Sequence, residues 1–566
     1  MQIWRINVKH QTLIREEPPE SWQRLGGRGL LARILLDEVD PTADPLGPGS
    51  KLIFAPGLLV GHMLSSCDRI SIGGKSPLTG GIKEANAGGT TGLQITRLGI
   101  KAAIIEDCPA EAGWWIIFAG ARGVRFEPAG ELAGLGVYES ARRLRERCGP
   151  AAAISLIGPG GEMGLPSAGI QNLDREGVPS RIAARGGLGA VMGSKGIKAI
   201  VWDASEGQPP PIAQPAAYRA AQKAFSKALV EQQVVQNWRD FGTAGMTMFA
   251  NAFGALPVRN FSRGKWDDAE KISGETLRET VLRREGKGTP THACMAGCAV
   301  RCSNVYAGED GEEIVSPLEY ETIGLMGSNL EISDLDAIAR MNWIVNDLGL
   351  DSIEIGAALA VAAEGGRAAF GDAPSMLRLL EEIHRGTPLG RILGSGAVAA
   401  GRAFGVERVP AVKGQAISAY DPRAVKGTGV TYATSPQGAD HTSGLTIRAK
   451  VDHLDPKGQA DLSRTAQINM AGYDALGACT FSGPGFAAAP EAIRDLINAR
   501  YGWTVGTGFL QALGRETLKL EREFNRRAGF TAADDRLPAW MTREPVAPTN
   551  AVFDVPDADL DEVFNW

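Results

Sequence analysis

The pattern of apolar and polar positions changes character near residue 206. Before it, short apolar or alternating runs are cut by Gly, Pro or Asp: "SKLIFAPGLL", "DRISIGG", "KAAIIED", "GWWIIFAG", "AAISLIG" and "GIKAIVWD". Runs of that length and punctuation predict β-strands. A proline-rich stretch, "EGQPPPIAQP", at 206–215 reads as a linker. Beyond it the apolar residues fall at helical spacing, as in "AAYRAAQKAFSKALVEQQVVQNWRDFGTAG", "DLDAIARMNWIVNDLGLDSIEIGAALAVAAEGG" and "EAIRDLINARYG". In "ISDLDAIARM", Ser333 is the expected N-cap, with Asp336 at N3. The predicted class is α+β: a β-rich N-terminal domain over residues 1–205, then a largely helical remainder. No repeat at solenoid periods stands out. Two segments do echo each other, "NDLGLD" at 346–351 and "DALGAC" at 474–479.

Composition narrows the function classes. The 566 residues are 44% hydrophobic and 22% charged, with net charge -6, enough for two to four domains and large cores. A mildly acidic chain is a poor match for nucleic acid, which selects a basic surface. No apolar run reaches the roughly 18 residues of a membrane span. The opening "MQIWRINVKHQTLIREE" lacks the apolar core of a secretory leader, so the cytoplasm is the expected location. There thiols stay reduced, and clustered cysteines predict metal ligands or catalysts over disulfides.

Three of the seven cysteines fall in "THACMAGCAVRCSN": Cys294, Cys298 and Cys302, spaced C-x3-C-x3-C on a helix face or in a loop. Structural zinc sites usually pair two knuckles of CxxC or CxxH type. A tight triplet plus one distant cysteine matches a [4Fe-4S] cluster better, because a compact loop covers only one side of the cube. Cys479, closing "DALGAC", is the best fourth ligand. Cys67, Cys108 and Cys148 are expected to be buried and inert.

Glycine is abundant, at 72 residues, and comes in clusters. "GGKSPLTGGIKEANAGGTTG" (73–92) and "RIAARGGLGAVMGSKGIKAI" (181–200) mix it with Arg, Lys, Asn, Ser and Thr. Exposed backbone amides beside a basic side chain hold anions. Neither stretch carries GxxxxGK[ST], and "GGLGAVMG" is an imperfect dinucleotide fingerprint. A phosphate-bearing cofactor other than ATP or NAD is the functional reading; plain β-turns are the bland one. In "PLEYETIG" (317–324) and the segment 419–444, Glu319, Glu321 and His441 are candidate proton-transfer groups. Each alone is more often a satisfied structural residue.

Taken in order, these blocks resemble the tungsten-containing aldehyde ferredoxin oxidoreductase family. "GGRGLLARILLDEVDPTADPLGPGSKLIFAPG", "KSPLTGGIKEANAGG", "RGGLGAVMGSKGIKAI", "GALPVRNFSRG", "EYETIGLMGSNLEISDL", "AYDPRAVKGTGVTYATSPQGADH" and "DALGAC" follow the family's order over nearly the whole chain. The resemblance implies a three-domain fold, with mainly helical domains at 216–412 and 413–566 after the β-rich, pterin-binding base. It implies tungsten, or molybdenum, held by two molybdopterin dithiolenes, with Mg2+ bridging their phosphates and a [4Fe-4S] cluster alongside. Arg69, Asn86, Ala87 and Gly88 match one pterin- and Mg-contacting region, and Arg185 and Gly186 a second. The echoing segments match paired DxxGL(D/C) pterin motifs: Asp474, Gly477, Ala478 and Cys479 in one, and Asn346, Gly349, Leu350 and Asp351 in the other. Asn346 departs from the Asp of that pattern, and the triplet departs from its C-x2-C-x3-C. Glu321, then Glu319, and His441 match residues near the metal.

The implied reaction is oxidation of an aldehyde to a carboxylic acid, or its reverse, with electrons passing to ferredoxin or a ferredoxin-like subunit. A homodimer is common in the family. The alternatives are reduction of an activated aromatic ring, as in benzoyl-CoA reductase subunits, a pterin-free electron-transfer subunit, and a zinc-stabilised binding protein.

Overall fold

The computed structural model describes residues 1–566. Strands β1 (Gln2–Asn7), β2 (Thr12–Glu16), β3 (Leu52–Pro56), β4 (Ile70–Lys75), β5 (Ile82–Ala87) and β6 (Ile100–Glu106) form one sheet, in the order β2-β1-β6-β3-β4-β5. Strands β7 (Trp115–Gly120), β8 (Gly123–Pro128), β9 (Ala153–Leu156), β10 (Ile170–Leu173), β11 (Pro179–Ala183) and β12 (Ile197–Asp203) form another, β11-β10-β9-β12-β7-β8. Read from the other end, the second order is the first with six added to every number. In both sheets the first and last strands pair in parallel, β1 with β6 and β7 with β12. The base is therefore two copies of one topology. Sequence reasoning, which searched solenoid periods, missed this repeat of about a hundred residues. Its trace in sequence is slight: "GIKAAIIED" and "GIKAIVWD" close the two copies.

The two sheets face each other across an apolar layer that includes Trp4, Phe54 and Ile72 of one and Ile117, Ile200 and Trp202 of the other. Alternate residues of the same strands point outward, since successive side chains on a strand take opposite faces. Ile53 and Ala55 meet the helix Gly27–Glu38. Ile154 and Leu156 meet the helix Val137–Cys148. Covering both faces explains why β3 is buried throughout and reads as a continuous apolar run.

The strand-rich part ends at Asp203, and the first long helix, Pro215–Val230, opens the helical part. One apolar core of 70 buried residues fills most of the latter. The helix Leu335–Leu348 is capped by Asp334, whose carboxylate accepts from the Asp336 amide, and not by Ser333. Aspartate caps as well as serine does, so composition could not choose between neighbours.

The two echoing segments are helix ends that dock on the base. Gly349 and Gly477 close their helices in the left-handed conformation, at φ +71° and +74°. The Gly169 amide donates to Gly349 O at 2.9 Å, and the Asp351 amide to Ser167 O at 2.9 Å. In the matching place the Arg69 amide donates to Gly477 O at 3.1 Å, and the Cys479 amide to Ser66 O at 2.7 Å. Each copy of the base thus receives one helix C-terminus.

Candidate functional site

The thiols assemble first. Strands Thr289–His292 and Ser303–Ala307 pair as a hairpin whose loop holds Cys294 and Cys298, with Cys302 at its far edge. This settles the triplet in a loop, not on a helix. The Gly89 amide donates to Cys294 O at 3.0 Å, and a Cβ on Gly88 would stand 3.2 Å from Cys294 Sγ. Ser66 Oγ lies 3.5 Å from Cys298 Sγ, and its carbonyl receives the Cys479 amide. The loop before β4 thus ties triplet and Cys479 to one edge of the base. Cys298 is drawn down to about 5 by its contact with Cys294. Burial holds Cys302 and Cys479 above the ordinary thiol range. Of the three other cysteines, Cys67 is buried as expected, while Cys108 and Cys148 are half-buried, a correction.

A second set converges around His441. Its Nε2 is 3.3 Å from Glu321 Oε1, and its Nδ1 is 3.0 Å from Ser418 Oγ. Glu321 Oε2 accepts the Ala419 amide at 2.7 Å, while Oε1 is buried and receives no aligned donor. Desolvation pushes the Glu321 carboxyl above the usual carboxylate range, against the pull of His441. Glu319, two residues earlier, accepts instead from Thr243 Oγ1 and from Ser303 Oγ, on the side of Cys302. The neighbouring Asp440 is held well below the carboxylate range: desolvation opposes its charge, but Lys83 Nζ at 3.0 Å and Arg185 more than offset it.

The expected cofactor residues divide. Arg69 grips Asn86 through its side-chain oxygen and, at 3.1 Å, its carbonyl. Burial opposes the Arg69 charge, and Cys479, Cys294, Asp474 and Glu84 around it together offset that cost. Asn86, Ala87 and Gly88 run along the end of β5 towards Cys294. Arg185 and Gly186 follow β11 at the matching place. Arg185 is buried with its donors spent on Asp351 Oδ2 at 3.2 Å, Ser418 Oγ at 3.3 Å and the carbonyls of Ala416 and Ala439. It therefore orients the backbone that carries Ser418 and His441. Asp474 accepts from Arg28 Nη1 at 3.1 Å, and Arg28 forks onto Glu521 at 2.7 and 2.9 Å. Asn346 offers its carbonyl to Gln171 Nε2 at 3.4 Å. Leu350 and Ala478 are buried at the two docking turns.

Sequence reasoning missed Arg28, Glu84, Lys83, Ser418 and Asp440. Arg28 and Glu521 meet across 493 residues, and no local spacing could announce that. Glu84 is buried beside Asp474 and pushed up to about 8 by desolvation, and its Oε1 has no partner. Asn86 Nδ2, Gln171 Oε1 and Glu321 Oε1 are likewise buried without partners. Buried polar atoms are normally paired, so each of these orphans keeps a hydrogen bond free for a polar ligand.

Comparison with known proteins agrees. Residues 3–204 match the family model "Aldehyde ferredoxin oxidoreductase, N-terminal domain", and residues 220–565 match the model of its domains 2 and 3. The tungsten-containing aldehyde ferredoxin oxidoreductase of Pyrococcus furiosus is 33% identical over 94% of this chain and 89% of its own. That of Pyrococcus abyssi is 32% identical over 96% and 92%. A solved active-site complex of benzoyl-coenzyme A reductase, with 1,5-dienoyl-CoA, superimposes with a TM-score of 0.81 over 100% of this chain and 93% of its own, at 21% identity, and so shares the fold. No helix is long and apolar enough to cross a membrane. With two family models covering nearly all its length, this chain belongs to the aldehyde ferredoxin oxidoreductase family.

Proposed function

We propose that the protein oxidises an aldehyde to its carboxylic acid with water, RCHO + H2O giving RCOOH, two protons and two electrons, and passes the electrons to ferredoxin or a ferredoxin-like subunit. The observation that carries this reading is the Glu321–His441 pair, 3.3 Å apart, with a buried, donor-free carboxyl oxygen. The two pterin dithiolenes and their tungsten or molybdenum would be held by Asp474, Arg69 and the Gly477–Cys479 turn on one side, and by Asn346 and the Gly349–Asp351 turn on the other. Asn86 and the Arg185–Gly186 turn would meet the phosphates and their Mg2+. Cys294, Cys298, Cys302 and Cys479 would hold the [4Fe-4S] cluster. When bound, the metal centre supplies the two-electron acceptor.

The chain's own groups handle the protons. Glu321 Oε1 accepts a proton from the attacking water, a task for a carboxylate tuned upward by burial. His441 Nδ1 lies 3.0 Å from Ser418 Oγ; in this reading Ser418 would donate to Nδ1, so that Nε2 carries the proton offered to the carbonyl oxygen as charge gathers there. Arg185 and Lys83 hold Asp440 charged beside this pair and fix the His441 backbone. Glu319, already occupied by Thr243 and Ser303, is a positioning residue between this pair and the cluster. The domains at 216–412 and 413–566 each bring one pterin turn in this reading. The test is metal analysis of protein made with tungstate and molybdate both present, followed by an aldehyde panel with a viologen acceptor. Tungsten or molybdenum with four irons and aldehyde turnover is expected; zinc alone, or iron with no aldehyde oxidation, overturns the proposal.

A further inference from the structure

A metal-ligand set stands apart from the groups described so far, at the strand that leads into the cysteine loop. The turn between β10 and β11 spans residues 174–178, and "NLDREG" puts Asp174 and Glu176 in it. The Glu176 and Val178 amides donate to Asp174 Oδ1 at 3.0 and 2.9 Å, which fixes the carboxylate and leaves Oδ2 for other partners. His292 ends the strand Thr289–His292, two residues before Cys294. Its Nε2 is 3.3 Å from Asp174 Oδ2 and 3.4 Å from Glu176 Oε2. The three ligand atoms all lie within 4.8 Å of one another.

A ring nitrogen carries at most one hydrogen, so one N–H cannot bond both oxygens well. Both distances exceed the roughly 2.7–2.9 Å of a good charge-assisted bond. The nearby arginines are engaged elsewhere. Arg175 Nε takes the other Glu176 oxygen, Oε1, at 2.9 Å. Arg181 donates through Nη1 to Ser303 Oγ at 2.9 Å, and its Nη2 stays 3.8 Å from Asp174 Oδ2. Ser180 Oγ reaches that oxygen at 3.4 Å. Glu313 adds a further carboxyl, pushed above its ordinary range by burial and by the Asp174 charge. We propose that Asp174, Glu176 and His292 form a site for a divalent transition-metal ion, which staples the β10–β11 turn to the root of the cysteine loop. A mixed imidazole and carboxylate set suits Mn2+ or Zn2+. The spacing of the three atoms leaves room for an ion roughly 2.0–2.2 Å from each, the usual length of such bonds. Asp174 is buried, but the Glu176 side chain is 46% exposed, so the ion enters from solvent and water completes its shell. The site is separate from the Mg2+ read between the phosphates, and it does not depend on which substrate is oxidised.

The test titrates Mn2+ into the cofactor-loaded protein and counts free ion by electron paramagnetic resonance. Wild type is expected to bind one Mn2+ per chain, displaced by Zn2+, whose Kd rises about 10-fold or more in Glu176→Gln and in His292→Asn; even the loss of an outer-sphere partner weakens metal sites on that scale. Mn2+ exchanged into the phosphate-bridging site would bind wild type and variants alike, so the difference isolates this site. Mn2+ should also raise the wild-type thermal midpoint and slow hydrogen exchange at residues 174–178 and 289–294, with both effects reduced in the variants. Iron content is measured alongside. Should His292→Asn shed iron, Glu176→Gln, whose side chain opens to solvent, decides. No saturable uptake of Mn2+ or Zn2+ at millimolar concentration, or the same Kd in wild type and Glu176→Gln, overturns the inference.

Discussion

At the scale of single residues, chemistry is set by which partner a side chain meets. Glu319 and Glu321 are two residues apart in sequence, yet one meets Thr243 and Ser303 and the other meets His441. Glu321→Gln and His441→Asn should each lower aldehyde turnover by about 100-fold or more, the usual range for a lost proton-transfer group, with iron and tungsten content unchanged. A base works when deprotonated, so wild-type kcat/KM should rise with pH, and burial places that rise above the ordinary glutamate value of about 4.3. The rise should be absent in Glu321→Gln. Glu84 offers a stability test. Its folded value of about 8 exceeds the unfolded value of about 4.3, so between those limits the folded chain binds the extra proton, and its contribution to stability falls as pH rises. Thermal midpoints at pH 5 and pH 7.5 should show Glu84→Gln gaining on wild type at the higher pH, with a slope of at most about 1.4 kcal/mol per pH unit. Serine at Cys294, Cys298, Cys302 or Cys479 should remove the brown absorbance and most of the iron, whereas Cys67→Ser should keep both.

At the scale of elements, two helix ends are pressed into two copies of one sheet. The approach is close enough that only glycine fits at the contact. A Cβ on Gly57 would fall 1.9 Å from the Gly477 nitrogen, and one on Gly158 would fall 2.4 Å from Leu348 O. Those neighbours are backbone and cannot swing aside. Gly57→Ala and Gly158→Ala should each cost about 3 kcal/mol or more, the upper range of overpacking, seen as a lower thermal midpoint. Gly57→Ala, on the Cys479 side, should also shed iron, and Gly158→Ala should shed less. The two copies are not chemically equal. In one, Arg28 bridges Asp474 and Glu521; in the other, Gln171 Nε2 donates to the main-chain carbonyl of Asn346. The echo of "NDLGLD" and "DALGAC" was legible in sequence because a helix stop needs glycine at the left-handed position. The duplicated sheets were not, because strand identity survives almost any apolar substitution that keeps the period of two.

At the scale of the whole molecule, the four thiols come from one hairpin loop and one helix end, and both are tied to the loop that precedes β4. Removing iron should therefore loosen residues 57–69, 293–302 and 477–482 together in hydrogen exchange, with the two sheets unchanged. Loosening confined to 293–302 would contradict that coupling. The change of pattern at residue 206 and the cysteine triplet followed from the chain alone, because each is a local arrangement of residue types. So did the clustered glycines and the histidine of "GADH", through a likeness carried by ordered short blocks. Tertiary structure decided what no spacing encodes. It brought Arg28 to Glu521 and Lys83 to Asp440, and separated Glu319 from Glu321. Burial and long-range pairing set a group's charge and reach, and both exist only once distant segments have met.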